Sequence, residues 1–321
     1  MSESVSNNDT QFIKILLLVL LLGISDCLMG CSEHSAYKIS DTTNVKQNIL
    51  NGMAVIDSQP LAKKVLYLAT GAKLLKTPTG GYSASQTGLC TATAIAPKII
   101  LTAAHCVKAV DPKDDQTAES VFIILGTKPW KSKFDTKLWY AAQKIIVHPN
   151  YKKIGSGGSP DDIAIIQLKT ALPIENVTDL ASQKDLSSTM DYTMAGYGMR
   201  SNLVALPNAQ TQENLGELFS LTKIITNYDI NNLTIEIDQH DEKGICSGDS
   251  GGPGLIFNPA TKKYSLIGVV SGNRWLVDDK QNFDPENKKD CFGFAVYTNI
   301  MNPGYYDWII KTMQTFVAPL K

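Results

Sequence analysis

Histidine is scarce in this chain, and none occurs after position 240: the four are His34, His105, His148 and His240. That absence bears on the stretch CSGDSGGPG, residues 246–254, which contains a G-x-S-x-G pattern centred on Ser250. Gly, Asp, Ser and Pro are turn residues, so the cluster by itself reads equally well as a tight loop. Its sharper reading is a nucleophile loop, in which glycines let a strained backbone present a serine oxygen and leave amide N–H groups free for an oxyanion. A serine also needs a base. The α/β-hydrolase order places the histidine after the serine, and with no histidine there that order is excluded. His-Asp-Ser and Asp-His-Ser remain.

Net charge is also lacking: 30 Lys and Arg against 31 Asp and Glu leave a formal charge of −1 over 321 residues. Such balance gives no global steering toward nucleic acid, and no nucleic-acid role is expected. No apolar run reaches the roughly 20 residues that cross a bilayer as a helix. The longest, FIKILLLVLLLGI at 12–24, fits instead the core of a secretion signal. Leu28-Met29-Gly30-Cys31 then resembles a bacterial lipoprotein signal, with Cys31 the lipidated residue. Residues 1–31 are therefore expected to be a signal peptide, and the polar stretch 32–48 a tether or propeptide. The expected location is the bacterial cell envelope or the secreted fraction, with contact to membrane only through a lipid anchor. Removing the leader leaves Cys90, Cys106, Cys246 and Cys291, which could pair in three ways, and export would oxidise them. No internal repeat is visible. The acid pairs lack ligand spacing, so neither metal nor cofactor is expected.

What the chain does have is a succession of short β-favouring runs. Val65–Leu68, Ile99–Leu101, Val121–Leu125, Ile145–Val147 and Ile163–Leu168 form one set. Tyr192–Ala195, Leu218–Ile225, Leu233–Ile237, Gly254–Phe257, Leu266–Val270 and Phe294–Tyr297 form a second. Short strands without helical crossovers predict an antiparallel all-β protein. Helical rhythm occurs only at Tyr305–Phe316, predicting one C-terminal helix.

His105 lies in LTAAHC, at the end of an apolar run and beside a cysteine that could fix the turn. His148, in IVHPNY, reads as a structural loop residue, His240 lies in the charged loop DQHDEK, and His34 lies in the tether. Between His105 and Ser250, Asp162 opens DIAIIQL, where a carboxylate at the mouth of a buried strand would be drawn inside. Asp161 is out of phase and should face away.

In order, the motifs are ILNG (49–52), CTATAIAPKIILTAAHC (90–106), IVHPNY (146–151), DDIAIIQL (161–168), AGYG (195–198) and GDSGGP (248–253). Together they resemble the chymotrypsin- and trypsin-like serine endopeptidases. The resemblance implies two antiparallel six-stranded β-barrels with the active site between them and a C-terminal α-helix. It covers 49–316, with a first barrel at about 49–180, a second at about 185–303 and the helix at about 305–316. It implies Ser250 as nucleophile, His105 as base, Asp162 as its orienting acid, and the amides of Gly248 and Ser250 as the oxyanion hole. Gly244, Ile245, Ser271, Asn273 and Ala295 are implied to bind substrate. Uncharged Gly244 at the pocket base disfavours Arg and Lys and suggests small to medium apolar side chains. Disulfides Cys90–Cys106 and Cys246–Cys291 are implied, as is activation by a cut before Ile49, whose new amine would pair with Asp249. Asn48 is not the Arg or Lys that a trypsin-like activator would cut.

The chain departs from the family in Gly272, which replaces an aromatic, and in the long charged stretch RWLVDDKQNFDPENKKD (274–290). The expected protein is thus a monomeric, exported, zymogenic serine endopeptidase acting on proteins or peptides. The alternative is a catalytically silent protease-like protein used for binding or adhesion.

Overall fold

The computed structural model describes residues 49, 51–77, 82–108, 115–129, 135–152, 158–199, 216–274 and 291–317. The expected leader and tether, with Cys31 and Asn48, and the 275–290 part of the charged stretch lie outside the described residues.

Sixteen strands are present among them: β1 (Met53–Ala54), β2 (Leu66–Thr70), β3 (Lys73–Lys76), β4 (Tyr82–Ser85), β5 (Gly88–Ala96), β6 (Ile99–Thr102), β7 (Phe122–Ile124), β8 (Trp139–Val147), β9 (Ala164–Leu168), β10 (Asp179–Leu180), β11 (Met190–Gly196), β12 (Phe219–Ile225), β13 (Thr234–Asp238), β14 (Pro253–Asn258), β15 (Lys263–Arg274) and β16 (Phe294–Asn299). Strands β2, β5, β6, β9, β8 and β7 close into a six-stranded barrel. Alternation assigns their faces. Along β2, Leu66 and Leu68 join one buried cluster while Tyr67 and Ala69 join another. Ala92 and Ala94 of β5 share the cluster of Leu66 and Leu68, small residues of the kind that fit a narrow barrel interior.

The second sheet runs β1-β12-β11-β14-β15-β16-β13, and β10 adds to β15 in parallel. Two closed barrels were expected. Here the closing pair, β12 with β13, is not formed among the described residues. At its start the β12 edge pairs instead with β1, Met53 opposite Ser220 and Ala54 opposite Phe219. A side chain spans the open seam instead: Lys223 of β12 donates to the Asp238 carbonyl and, at 2.7 Å, to the Asp241 carboxylate. The first strand among the described residues therefore belongs to the second sheet.

The helix α1 (Pro303–Val317) begins two residues before the expected Tyr305. Asn302 caps it, its side-chain oxygen accepting from the Gly304 amide at 3.0 Å, and proline occupies the first turn where its missing N–H costs nothing. Tyr305, Ile309 and Thr312, at helical spacing, form the buried face.

Tyr197 ties the two sheets. Fully buried just after β11, it points its hydroxyl between two first-barrel carbonyls, Gly126 O at 2.9 Å and Val65 O at 3.1 Å. Its ring meets Tyr67 of β2 edge-on, centroids 5.4 Å apart. Tyr197→Phe keeps the ring and removes the donor, so it should cost about 1–2 kcal/mol of stability in chemical denaturation. An unchanged midpoint would show that the hydroxyl does not hold the sheets.

Candidate active site

His105 sits on the single 3-10 turn Ala104–Cys106 that follows β6. The disulfide Cys90–Cys106 fastens this turn to β5, with Cα atoms 6.2 Å apart. Asp162 lies just before β9, and β9 pairs with β6 in a register that sets Ala164 opposite Thr102. Continued past the strand ends, that register carries Asp162 to the His105 turn. Its carboxylate is almost wholly buried, at 2% exposure. One oxygen, Oδ1, accepts from the His105 backbone N–H at 2.9 Å, and Oδ2 lies 2.7 Å from His105 Nδ1. The imidazole is thereby held in one orientation by an acid that also grips its own backbone.

A third donor comes from the second sheet. Strand β15 is irregular between Val270 and Gly272, and Ser271 is the extra residue. Such a bulge re-aims a side chain. The Ser271 hydroxyl accepts from the Ser159 N–H at 3.1 Å and donates to Asp162 Oδ2 at 2.7 Å. Ser271, expected to line the substrate strand, thus also clamps the acid. Asp161 turns the other way. Its φ of +62° places it in the left-handed region, and its carboxylate lies 3.4 Å from His148 Nδ1. His148 packs edge-on against Tyr305 and Trp308, and burial holds its pKa below the usual imidazole value. It is a packing residue, as expected. His240 lies elsewhere, 2.6 Å from Asp238 and between Phe292 and Phe294.

Ser250 is brought to the His105 turn through its backbone. Its carbonyl accepts from the Thr91 N–H at 2.8 Å and lies 3.7 Å from Cys106 Sγ, which is itself 3.9 Å from His105 Nε2. Thr91 is a second clamp that the sequence reading missed. Its hydroxyl donates to Gly248 O at 2.9 Å and accepts from the Tyr197 N–H at 3.2 Å, while its carbonyl accepts from Thr102 Oγ1 at 3.0 Å. Gly248 has φ +99° and Gly251 φ +77°, and a Cβ at Gly251 would lie 2.5 Å from the Thr91 carbonyl oxygen. The loop follows a path only glycine permits. Among the described residues the amides of Gly248 and Ser250 have no hydrogen-bond partner. Two free, neighbouring N–H groups beside a serine are suited to bind a developing oxyanion.

Asp249 points inward. It is fully buried, and its carboxylate accepts from Gly198 N–H and Cys246 N–H, each at 2.8 Å. Desolvation pushes its pKa up to about 7, against the opposing pull of those two bonds. Ile49, the expected pairing partner, is also buried, at 1% exposure, with φ +37°.

The five expected substrate-binding residues fall into one neighbourhood. Asn273 stands directly across from Ala295 on β15 and β16, while Ile245 and Ala295 are enclosed at 2% and 0% exposure. The neighbourhood contains a residue the sequence reading passed over, Gln239, which is fully buried. The Cys246–Cys291 disulfide forms as the resemblance implied. Cys90, His105 and Cys106 place potential metal-binding atoms within 4.8 Å of one another. Both sulfurs are consumed by the disulfide, so the cluster offers no thiolate.

A closed β-barrel beside a second, open β-sheet, with serine, histidine and buried aspartate brought together from three separate segments, is the architecture of the chymotrypsin-like fold class. The chain matches the Trypsin family model over residues 77–308 and belongs to the trypsin family. It is 28% identical over 199 residues to venom serine protease 34 of Apis mellifera, covering 57% of this chain and 45% of that protein. It is 29% identical over 243 residues to coagulation factor XI of Bos taurus, covering 72% and 34% respectively. A venom serine protease of Polistes dominula is 21% identical over 290 residues, with 83% and 88% covered. The alignment thus spans less than half the length of the first of these relatives. The HL collagenase structure shares the fold, with a TM-score of 0.54 at 21% identity over 83% of this chain and 99% of that one.

Thr91→Val removes the hydroxyl at nearly constant volume, leaving Gly248 O without its donor and Tyr197 N–H without its acceptor. The expected loss is about 1–3 kcal/mol of stability by chemical denaturation. A variant as stable as the parent would show that the threonine does not fasten the loop.

Proposed function

We propose that the chain is an exported serine endopeptidase that cleaves proteins or peptides through an acyl-enzyme. Residues 49–316 form the peptidase domain, 1–31 the signal and 32–48 the tether or propeptide, with Cys31 the lipid attachment site. The observation that carries the reading is the buried Asp162 carboxylate, which holds both the ring and the backbone of His105 and is itself held by Ser271.

In the proposed reaction the Ser250 hydroxyl attacks the peptide carbonyl and passes its proton to His105. Asp162 stabilises the imidazolium without taking the proton. The Gly248 and Ser250 amides receive the negative charge of the tetrahedral intermediate. His105 then protonates the leaving amine, and a water molecule releases the acyl group by the same route reversed. Ser250→Ala should lower hydrolysis about 10⁶-fold while the protein stays folded. Full-strength cleavage by the variant would overturn the assignment. A parent protein that fails to react with a fluorophosphonate at Ser250 would favour the silent binding protein.

The precursor state follows from Asp249. Its carboxyl, raised to about 7, binds a proton in the folded chain that the unfolded chain releases near pH 4. Across that window the folded state holds more protons, so the stability of the uncut chain should fall as pH rises from about 4 to about 7. A cut between residues 48 and 49 creates an ammonium at Ile49, whose β-branched side chain is strained at positive φ while the chain is intact. Paired with that ammonium, Asp249 would be depressed, and stability would instead be lost as pH falls. Thermal unfolding of both forms across pH 4–8 tests this: opposite slopes are expected. Equal slopes would rule out the Ile49–Asp249 pair.

A further inference from the structure

Gly244 leaves less room than its missing side chain suggests. A Cβ built there would lie 1.7 Å from Gln239 Oε1, 2.3 Å from its Cδ and 2.6 Å from its Cγ. The volume a side chain at position 244 would enter is therefore taken by Gln239, which reaches it from the end of β13, with no surface exposed to solvent.

Both ends of the Gln239 amide are engaged. Oε1 accepts from the Ile245 N–H at 2.5 Å. Nε2 donates to the Ile245 carbonyl at 3.5 Å and to Asn273 Oδ1 at 3.2 Å. Its backbone N–H is held by Gly293 O at 2.8 Å, just before β16. The Asn273 side chain comes from β15, two residues past the bulge at Ser271, and stands across from Ala295. Gln239 and Asn273 are thus joined amide to amide. One rises from the segment that leads to Ser250, and the other reaches over from β15, with β16 between β15 and β13.

Resting on the peptidase reading, we infer that Gln239 and Asn273 form a hydrogen-bonded bar across the substrate pocket and restrict it to short side chains on the acyl side of the cut, those of alanine, serine and glycine. The bar is neutral, so it offers no counter-charge for Arg or Lys. Its Oε1 and Nε2 are already bonded to the protein, so a long polar side chain would have to displace one of those bonds, leaving a buried group unpaired. A large apolar side chain meets the bar sterically. The preference for small to medium apolar residues narrows accordingly to its small end.

The experiment uses full-length protein after activation, titrated with a fluorophosphonate so that rates refer to competent sites. It measures kcat/KM on matched peptides differing only in the residue before the cut. The unaltered enzyme should cleave the alanine peptide about tenfold or more faster than the leucine, phenylalanine and arginine peptides. Asn273→Gly removes the bar from the strand side and leaves both Ile245 bonds in place, and it should raise the phenylalanine-to-alanine ratio about tenfold or more. Gln239→Ala should move the ratio in the same direction. A purely structural role would depress all peptides together and leave the ratio alone. An unaltered enzyme that prefers the large peptides overturns the inference without need of any variant. A labelled enzyme whose ratio is unmoved by Asn273→Gly overturns it too, while the peptidase reading stands. An unaltered protein that takes no label overturns the reading itself, and the inference with it.

Discussion

The burial of one carboxylate governs the site. Asp249 precedes the serine and points into the protein, where two backbone N–H groups, of Gly198 and Cys246, take the place of water. Placing an acid there dictates its neighbours. A Cβ at Gly196 would lie 2.1 Å from Asp249 Oδ1, and one at Gly198 would lie 2.6 Å from its Cγ, so both positions can only be glycine. With Asp249 turned inward, residue 250 is turned outward. The left-handed φ of Gly248 follows the same turn, and the amides on either side of Asp249 have no partner among the described residues.

Asp249 fixes the loop from within the second sheet, and Thr91 fixes it from the first barrel. A single β5 residue bonds to Ser250, Gly248, Tyr197 and Thr102, on three different stretches of chain. Tyr197 in turn bonds to the carbonyls of Val65 and Gly126. The serine's backbone is therefore referenced to the same barrel that carries His105 and Asp162. This matters for the proposed reaction because its nucleophile and base would come from different sheets, and an error of about an ångström between them would cost orders of magnitude in rate. Ser271 closes the circuit in the other direction, reaching from β15 to Asp162.

The parts legible in the sequence are those whose cause is local. Runs such as Ile163–Leu168 show strands because β-branched residues fill buried faces, and GDSGGP shows a loop because Gly248 and Gly251 take left-handed angles that other residues avoid. Strand β5 is not legible outside its cysteine motif because it is rich in threonine and alanine, small residues that suit a narrow interior and contacts across the molecule. Thr91 and Ser271 look like ordinary strand residues, and their roles depend on partners 157 and 109 positions away. The open seam of the second sheet is equally illegible, since the pairing of β12 with β13 is a contact between segments distant in the chain. Gln239 carried a weak signal: an uncharged residue in the charged run DQHDEK, five places before a glycine at the expected pocket base.

The consecutive amides of Ile245 and Cys246 show how the two halves of the site are kept apart. Ile245 N–H is taken by Gln239 and Cys246 N–H by Asp249, so adjacent links of one segment are pinned by two buried side chains. Only one of these acceptors can ionise. A carboxylate in place of the Gln239 amide would put a second buried charge one peptide unit from the bond that holds Asp249, whose pKa burial has already raised to about 7. Each charge would disfavour the other. A neutral amide holds Ile245 without that conflict. In the proposed peptidase, the same choice that keeps the expected pocket floor uncharged would leave Asp249 free to respond to the proposed Ile49 ammonium, although Gln239 and Asp249 lie only ten positions apart.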